Sequence, residues 1–238
     1  MEKEPYKIME NLPQSSETYN RIFARGGYQG AYELPYWHSS YYPLFKAVLA
    51  GVLRHGVKTV LEVGCGTGGF AQLLMDKTSL NYRGFDFSEV AVESAKARTG
   101  RPEAFSVANA TIRSSYEGCD YDCVVCTEVL EHIEQDLDTI AHWKPGIFCE
   151  CSVPNFDSET HVRYFKSEAE VVNRYKALID IERVIRIKKP VLTDISFANT
   201  LREIRWNRNQ PQKLLEILGF GSFDSVGGWF VFSGPRKQ

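Results

Sequence analysis

Two groups of residues in this 238-residue chain have the types and spacing of working chemistry. The first lies in Val57-Lys-Thr-Val-Leu-Glu-Val-Gly-Cys-Gly-Thr-Gly-Gly-Phe70 and consists of Glu62, Gly64, Gly66, Gly68 and Gly69. Such glycines let the backbone take positive φ and let a ligand approach it closely. Gly64, Gly66 and Gly69 also meet the G-x-G-x-x-G spacing of dinucleotide sites, a weak match by itself. Asp86 follows Gly64 by 22 residues, where an acid ending a second strand can accept both hydroxyls of a ribose. The second group is Glu128, Glu131 and His132, with His161 further on. Imidazoles exchange protons near neutrality, and carboxyls beside them suit acid–base work or a divalent ion.

These residues need elements to hold them. Val57, Val60, Leu61 and Val63 read as a buried parallel strand. Phe70, Leu73 and Leu74 then mark a helix over residues 67–76, so strand, glycines and helix together form a nucleotide-binding turn. Residues 80–86 form a second strand ending in Asp86, and Ser88 caps the next helix. A third strand ends within 105–111, a fourth at Cys126 or Thr127, and a fifth spans 147–153 before Pro154 and Asn155. Glu128, Glu131 and His132 are expected to begin a helix, with Glu128 one turn from the other two. Pro43 opens a helix to about Arg54, a further helix starts near Ser167, residues 179–187 alternate as a half-exposed sixth strand, and Gly228–Ser233 closes the sheet.

Glu62, two residues before Gly64, extends the turn to E-x-G-x-G-x-G, which resembles motif I of the class I S-adenosylmethionine-dependent methyltransferases. Residues 121–133, with Glu128-Val-Leu-Glu-His132, resemble the fourth strand and following segment of the same family. The resemblance covers about residues 57–188 and, more weakly, the last strand. It implies an α/β, doubly wound, Rossmann-like sheet of seven strands with the last antiparallel. It also implies S-adenosyl-L-methionine as cofactor and S-adenosyl-L-homocysteine as product. The implied cofactor residues are Glu62 for the ammonium group, Gly64, Cys65, Gly66 and Gly68 under the adenosine, and Asp86 on the ribose beside Phe87. Asn109 and Ala110 stand at the adenine, where the family commonly has aspartate before alanine, and Thr127 stands level with the methyl group. The implied reaction is transfer to an oxygen or nitrogen of a small molecule, as in natural-product or secondary metabolism. His132, His161 and Glu131 are the catalytic candidates.

Glu128, Glu131, His132 and His161 also resemble the metal ligands of the small-RNA 2′-O-methyltransferases, which implies a metal-dependent RNA 3′-end reaction as an alternative. The charge argues against it: net −2, with no basic tract for a polyanion. No obligatory metal is therefore expected. A non-catalytic S-adenosylmethionine-binding protein is a second alternative. An NAD-dependent oxidoreductase is a third, opposed by Glu62 and the late glycine turn.

Hydrophobic residues make up 43% of the chain, enough for one sizeable core. No run is long and apolar enough to span a membrane, and the charged N-terminus lacks a signal-peptide core, so a cytoplasmic protein is expected. Cys119, Cys123 and Cys126 show the C-x3-C-x2-C spacing of an iron–sulfur site. Cys123 and Cys126 lie three apart on one strand, so they face opposite ways and belong to the core, as do Cys149 and Cys151. Residues 1–42 hold Tyr19, Phe23, Tyr28, Tyr32, Tyr36, Trp37, Tyr41 and Tyr42 among glycines, and are expected to be an aromatic lid. Residues 43–238 form the catalytic domain, with a helical, cap-like insertion at about 190–222. A homodimer is compatible with this reading.

Overall fold

The computed structural model describes residues 15–27 and 30–238. The parts of the expected lid at 1–14 and at Tyr28 and Gln29 lie outside the described residues.

Helix α1 (Ser16–Ala24) is capped by Ser15, whose hydroxyl accepts from Thr18 N–H. Helix α2 (Tyr42–Arg54) has Pro43 in its first turn and buries Leu44, Val48, Leu49 and Val52 at helical spacing. Then come β1 (Thr59–Val63), α3 (Gly69–Lys77), β2 (Asn81–Asp86), α4 (Glu89–Thr99), β3 (Phe105–Val107) and β4 (Cys123–Thr127). After a 3₁₀ turn (Leu130–His132) follow α5 (Asp136–Ala141), β5 (Phe148–Pro154), α6 (Glu168–Tyr175) and β6 (Arg183–Lys188). Helices α7 (Phe197–Trp206), α8 (Pro211–Ile217) and α9 (Phe223–Val226) precede β7 (Gly228–Pro235).

The sheet runs in the order β3-β2-β1-β4-β5-β7-β6. β7 is antiparallel to both neighbours, and the other pairs are parallel. Strands buried on both faces read as near-continuous apolar runs, as β4 does, while β1 and β5 are interrupted by the buried Glu62 and Glu150. Alternate residues supply the two cores. Val60, Cys123 and Val125 pack with α2 and α3, while Leu61, Val63, Cys126, Cys149 and Cys151 pack with Trp143 and Tyr175. Cys123 and Cys126 thus serve opposite faces, and all six cysteines are free thiols. The strand order reverses between β1 and β4, so a crevice opens at their carboxyl ends. Both chemical groups sit there.

The helix expected at Glu128 does not form. Glu128 is in the left-handed region at φ 58°, and only a 3₁₀ turn follows. Its N–H donates to the Ser152 hydroxyl of β5 at 3.2 Å. The reversal tucks Val129 against the glycine turn, where a Cβ on Gly64 would collide with it. Residues 197–217 hold α7 and α8, and Asp194, just ahead of α7, forms a short bridge with Ser39.

Candidate active site

The glycine turn is tied to the ends of β1 and β2. Gly64 and Cys65 N–H both donate to Phe85 O, at 2.9 and 3.0 Å. Gly66 N–H donates to Asp86 Oδ2 at 3.0 Å, while Asp86 Oδ1 accepts from Ser88 N–H at 2.9 Å. Burial raises the Asp86 pKa, and these backbone donors draw it back. Its carboxyl therefore lies at the mouth of the turn, beside the half-buried ring of Phe87. Thr127 is buried at the end of β4, level with Ser152.

Two cofactor residues stand differently from expectation. The Glu62 carboxyl is buried and accepts from the Tyr82 hydroxyl of β2. Burial pushes its pKa up to about 8, and the Tyr82 hydroxyl is the partner its carboxyl has in the core. Asn109 is exposed, and its Oδ1 accepts from both the N–H and the hydroxyl of Thr111, each at 2.9 Å. Those two bonds occupy the oxygen expected at the adenine, because a threonine two residues on closes an Asx turn. Ala110 O accepts from the Tyr116 hydroxyl at 2.8 Å.

Helix α1 roofs this site. Phe23 lies above Gly66, Tyr19 packs on Phe87 with ring centroids 5.0 Å apart, and the Ser88 hydroxyl donates to Asn20 Oδ1 at 2.6 Å. Tyr32 continues the layer against Phe23 and Tyr41, and Tyr41 meets Trp229. One cation fastens the roof to the turn. Arg98 of α4 donates to Thr67 O at 2.8 Å, Leu34 O at 3.0 Å and Tyr32 O at 2.6 Å. Each such bond from a charged donor is worth about 1.5–3 kcal/mol, so Arg98→Ala should open residues 30–42 at least about tenfold more often. Chymotrypsin cleavage within this aromatic segment measures it. Unchanged cleavage would mean that the segment is held by its ring packing alone.

The acid–base group converges below Tyr19. The His132 ring is 5.8 Å from Tyr19 and 4.9 Å from His161. His132 Nδ1 lies 2.8 Å from Thr160 O, and His161 Nδ1 lies 3.2 Å from Phe156 O. A carbonyl only accepts, so each Nδ1 carries the proton and each Nε2 keeps its lone pair. Burial pushes the His132 pKa down to about 4 and lowers that of His161, so both rings are neutral at pH 7. Glu131 is fully buried, and neither carboxyl oxygen has a hydrogen-bond partner. Its Oε1 lies 3.8 Å from His132 Nε2. Burial raises its pKa well above normal, and neighbouring Glu128 raises it further. Burial likewise brings Glu128 to about 7, with the Trp229 indole, Lys189 and Ser152 drawing it down. Glu128 is therefore the member of the two that ionises first as pH rises. Ligand atoms of Glu131, His132 and His161 all fall within 4.8 Å of one another.

Residues far apart in sequence hold this cluster. Val162 N–H donates to Glu131 O at 2.8 Å, bringing the His161 loop against the turn. Arg163 donates to Leu130 O, Ile133 O and Glu134 O, and pairs with the buried Asp136 at 3.3 Å. Arg174 and the Tyr175 hydroxyl hold the same carboxylate. None of Asp136, Thr160 or Arg163 is marked by a motif, although the pairing of Arg163 with His161 in one short loop is a signal of position.

A family model described as a methyltransferase domain matches residues 36–212. The chain belongs to that family. This methyltransferase is 34% identical over 85 residues to the mitochondrial ubiquinone biosynthesis O-methyltransferase of Schizosaccharomyces pombe, covering 34% of this chain and 31% of the relative. It is 28% identical over 124 residues to the ubiquinone biosynthesis O-methyltransferase of Thiobacillus denitrificans, covering 49% and 50%. The chain thus spans 31% and 50% of the length of these two curated relatives. Among solved structures, a chain from the Haloferax volcanii complex of the Trm112 methyltransferase activator and a methyltransferase superposes with a TM-score of 0.62. The identity there is 20%, and 95% of this methyltransferase and 100% of that chain are covered.

The family implies S-adenosylmethionine, and the residues present fit it. A Cβ placed on Gly66 would meet only the edge of Phe23 at 3.8 Å, so the turn has a bare face under a movable ring. Asp86 presents an acceptor beside it for a ribose hydroxyl.

Proposed function

We propose that this methyltransferase transfers the methyl group of S-adenosylmethionine to an oxygen of a small, partly apolar acceptor in the cytoplasm. The observation that carries this is the neutral imidazole of His132, anchored at Nδ1 with Nε2 free, in a site walled by tyrosines and closed by α1. The names of the two curated relatives favour oxygen over nitrogen. When bound, the cofactor supplies an electrophilic sulfonium methyl. Gly66, Asp86 and Phe87 would seat its nucleoside half, and Tyr19 and Phe23 exclude water from it. His132 Nε2 is placed to take the proton of an acceptor hydroxyl, and the Glu131 carboxyl 3.8 Å away would stabilise the resulting imidazolium once ionised. His161 and Glu131 orient the acceptor. Residues 1–42 act as the lid and residues 43–238 as the catalytic body.

A second reading rests on one specific observation. Glu131 keeps two buried oxygens without partners within reach of two imidazole nitrogens, a donor set that suits a divalent ion. The charge of the chain gives no matching support to an RNA substrate. Under the first reading, transfer to a panel of phenols and catechols, followed as S-adenosylhomocysteine release, survives exhaustive EDTA treatment. Activity abolished by EDTA and restored by Mn²⁺ or Mg²⁺ would assign the cluster to a metal. No transfer to any hydroxylated acceptor, with S-adenosylhomocysteine still bound, would sink the oxygen reading.

A further inference from the structure

Helix α7 in the insertion before β7 turns its largest apolar groups outward. Asn199, Thr200, Glu203 and Asn207 face the protein together with Ile204, and Asn207 is buried. Their polar groups are satisfied locally: Asn199 Nδ2 donates to Asp194 O at 2.7 Å and Asn207 Nδ2 to Glu203 O at 2.8 Å. Phe197, Leu201 and Trp206 point outward, at 80%, 44% and 83% exposure. An amphipathic helix normally turns its apolar residues to the core. Here the core gains nothing from them, and water is a poor partner for two nearly bare aromatic rings.

The same outward arc carries Arg202 and Arg205 at helical spacing with Trp206 and Leu201, and Arg208 follows just beyond the helix. The acids of the insertion helices are already matched. Glu203 pairs with Arg202 at 3.6 Å, and Glu216 pairs with Lys213 at 3.6 Å. Exposed Arg205 and Arg208 have no acidic partner among the described residues. The face therefore combines large apolar groups with surplus positive charge.

We propose that this face docks on an anionic lipid surface. Aromatic and leucine side chains that stand out singly enter the boundary between headgroups and acyl chains, while arginines reach to the phosphates. A second copy of the chain fits less well. A two-fold contact sets the same patch against itself, so unmatched arginines would meet arginines. An acidic protein would satisfy the charge but would need a flat, co-packed patch, whereas these rings protrude separately at 80% and 83% exposure. No helix among the described residues is long and apolar enough to cross a membrane, so the contact is peripheral. The insertion also pairs with the lid, through Ser40 N–H to Thr193 O at 2.9 Å and Ile195 N–H to His38 O at 2.8 Å. Docking there sets the lid side of the molecule toward the lipid.

The test is co-sedimentation of the full chain with phosphatidylcholine vesicles, with and without phosphatidylglycerol. The expected result is binding only to the anionic vesicles, weakened by salt. Arg205→Ser with Arg208→Ser should weaken it by at least about tenfold, roughly fivefold per arginine. Phe197→Ser with Trp206→Ser should abolish it. These side chains are exposed, so both variants should melt like the parent, which thermal circular dichroism checks. Equal binding to neutral vesicles, or binding to neither, would overturn the proposal. So would a dimer in sedimentation velocity that Trp206→Ser dissolves, which assigns the face to a second copy. Binding to polyglutamate as tight as to vesicles, and unaffected by losing Phe197 and Trp206, would assign it to an acidic polypeptide instead.

Discussion

His132→Ala should lower kcat for methyl transfer by about 10²–10⁴ while leaving S-adenosylhomocysteine affinity within a few-fold of the parent. The ring is held at one nitrogen by Thr160 O, and the other nitrogen lies 3.8 Å from the Glu131 carboxyl. A neutral imidazole with a pKa of about 4 is by itself a weak base. It becomes stronger when a carboxylate stands beside the imidazolium that it forms. That carboxylate comes from the neighbouring Glu128 and Glu131, each of which acts on the other, and Glu128 is raised by burial to about 7. Below pH 7 the pair is fully protonated, and above it the pair carries a charge. Metal-free enzyme should therefore show kcat rising with pH through an apparent value near 7 that belongs to the pair. Glu128→Gln should flatten this limb with its hydrogen-bonding shape kept. A limb that survives in Glu128→Gln and vanishes in His161→Ala would move the proton-accepting role to His161. A kcat for His132→Ala equal to the parent would leave placement alone as the source of the rate.

Much of this site could be read from local pattern. The apolar run ending at Val63, the glycines and the Phe70, Leu73, Leu74 stripe each demand the same strand–turn–helix, and nothing distant opposes them. Asp86 and His132 followed because strand ends in such a sheet converge on one edge. Glu128 could not be read that way. Its left-handed backbone depends on Ser152, 24 residues later, and on Val129 filling the space that Gly64 leaves bare. The hydrogen bond of Glu62 within the core could not be read either. Its partner Tyr82 comes from the adjacent strand, 20 residues away. Asn109 differs, since its partner Thr111 lies only two residues on, close enough in sequence to close an Asx turn. The grip of Arg98 on Tyr32 and Leu34 spans more than sixty residues and leaves no pattern in either segment.

The stability of the fold should fall as pH rises from about 4.5 to about 8, and Glu150→Gln should remove a large part of that slope. Glu150 lies on β5, level with Val125, which is itself level with Glu62 on β1. Both carboxyls therefore enter the same core layer from one row of the sheet. Glu150 is 1% exposed, its oxygens lack hydrogen-bond partners, and it fills the notch left by Gly51 of α2, where a Cβ would strike it. Burial raises its pKa to about 8, with Arg183 and Arg54 drawing it down, and burial raises Glu62 similarly. An acid whose folded pKa is raised holds a proton that the unfolded chain releases near its ordinary value of 4.5. Between the two values the unfolded state gains and the folded state does not, so stability drops, and above about pH 8 the difference is constant. A shift of this size corresponds to on the order of 3–5 kcal/mol per buried site, a fall in Tm of roughly 10 °C. The amide of Gln cannot ionise, so Glu150→Gln should lie near or slightly below the parent at pH 5, where an unpartnered amide costs about 1–3 kcal/mol. At pH 8 it should be the more stable of the two. Thermal or urea unfolding across this range decides the matter. Parallel pH profiles for parent and variant would mean that Glu150 keeps an ordinary pKa and that water or Arg183 reaches it.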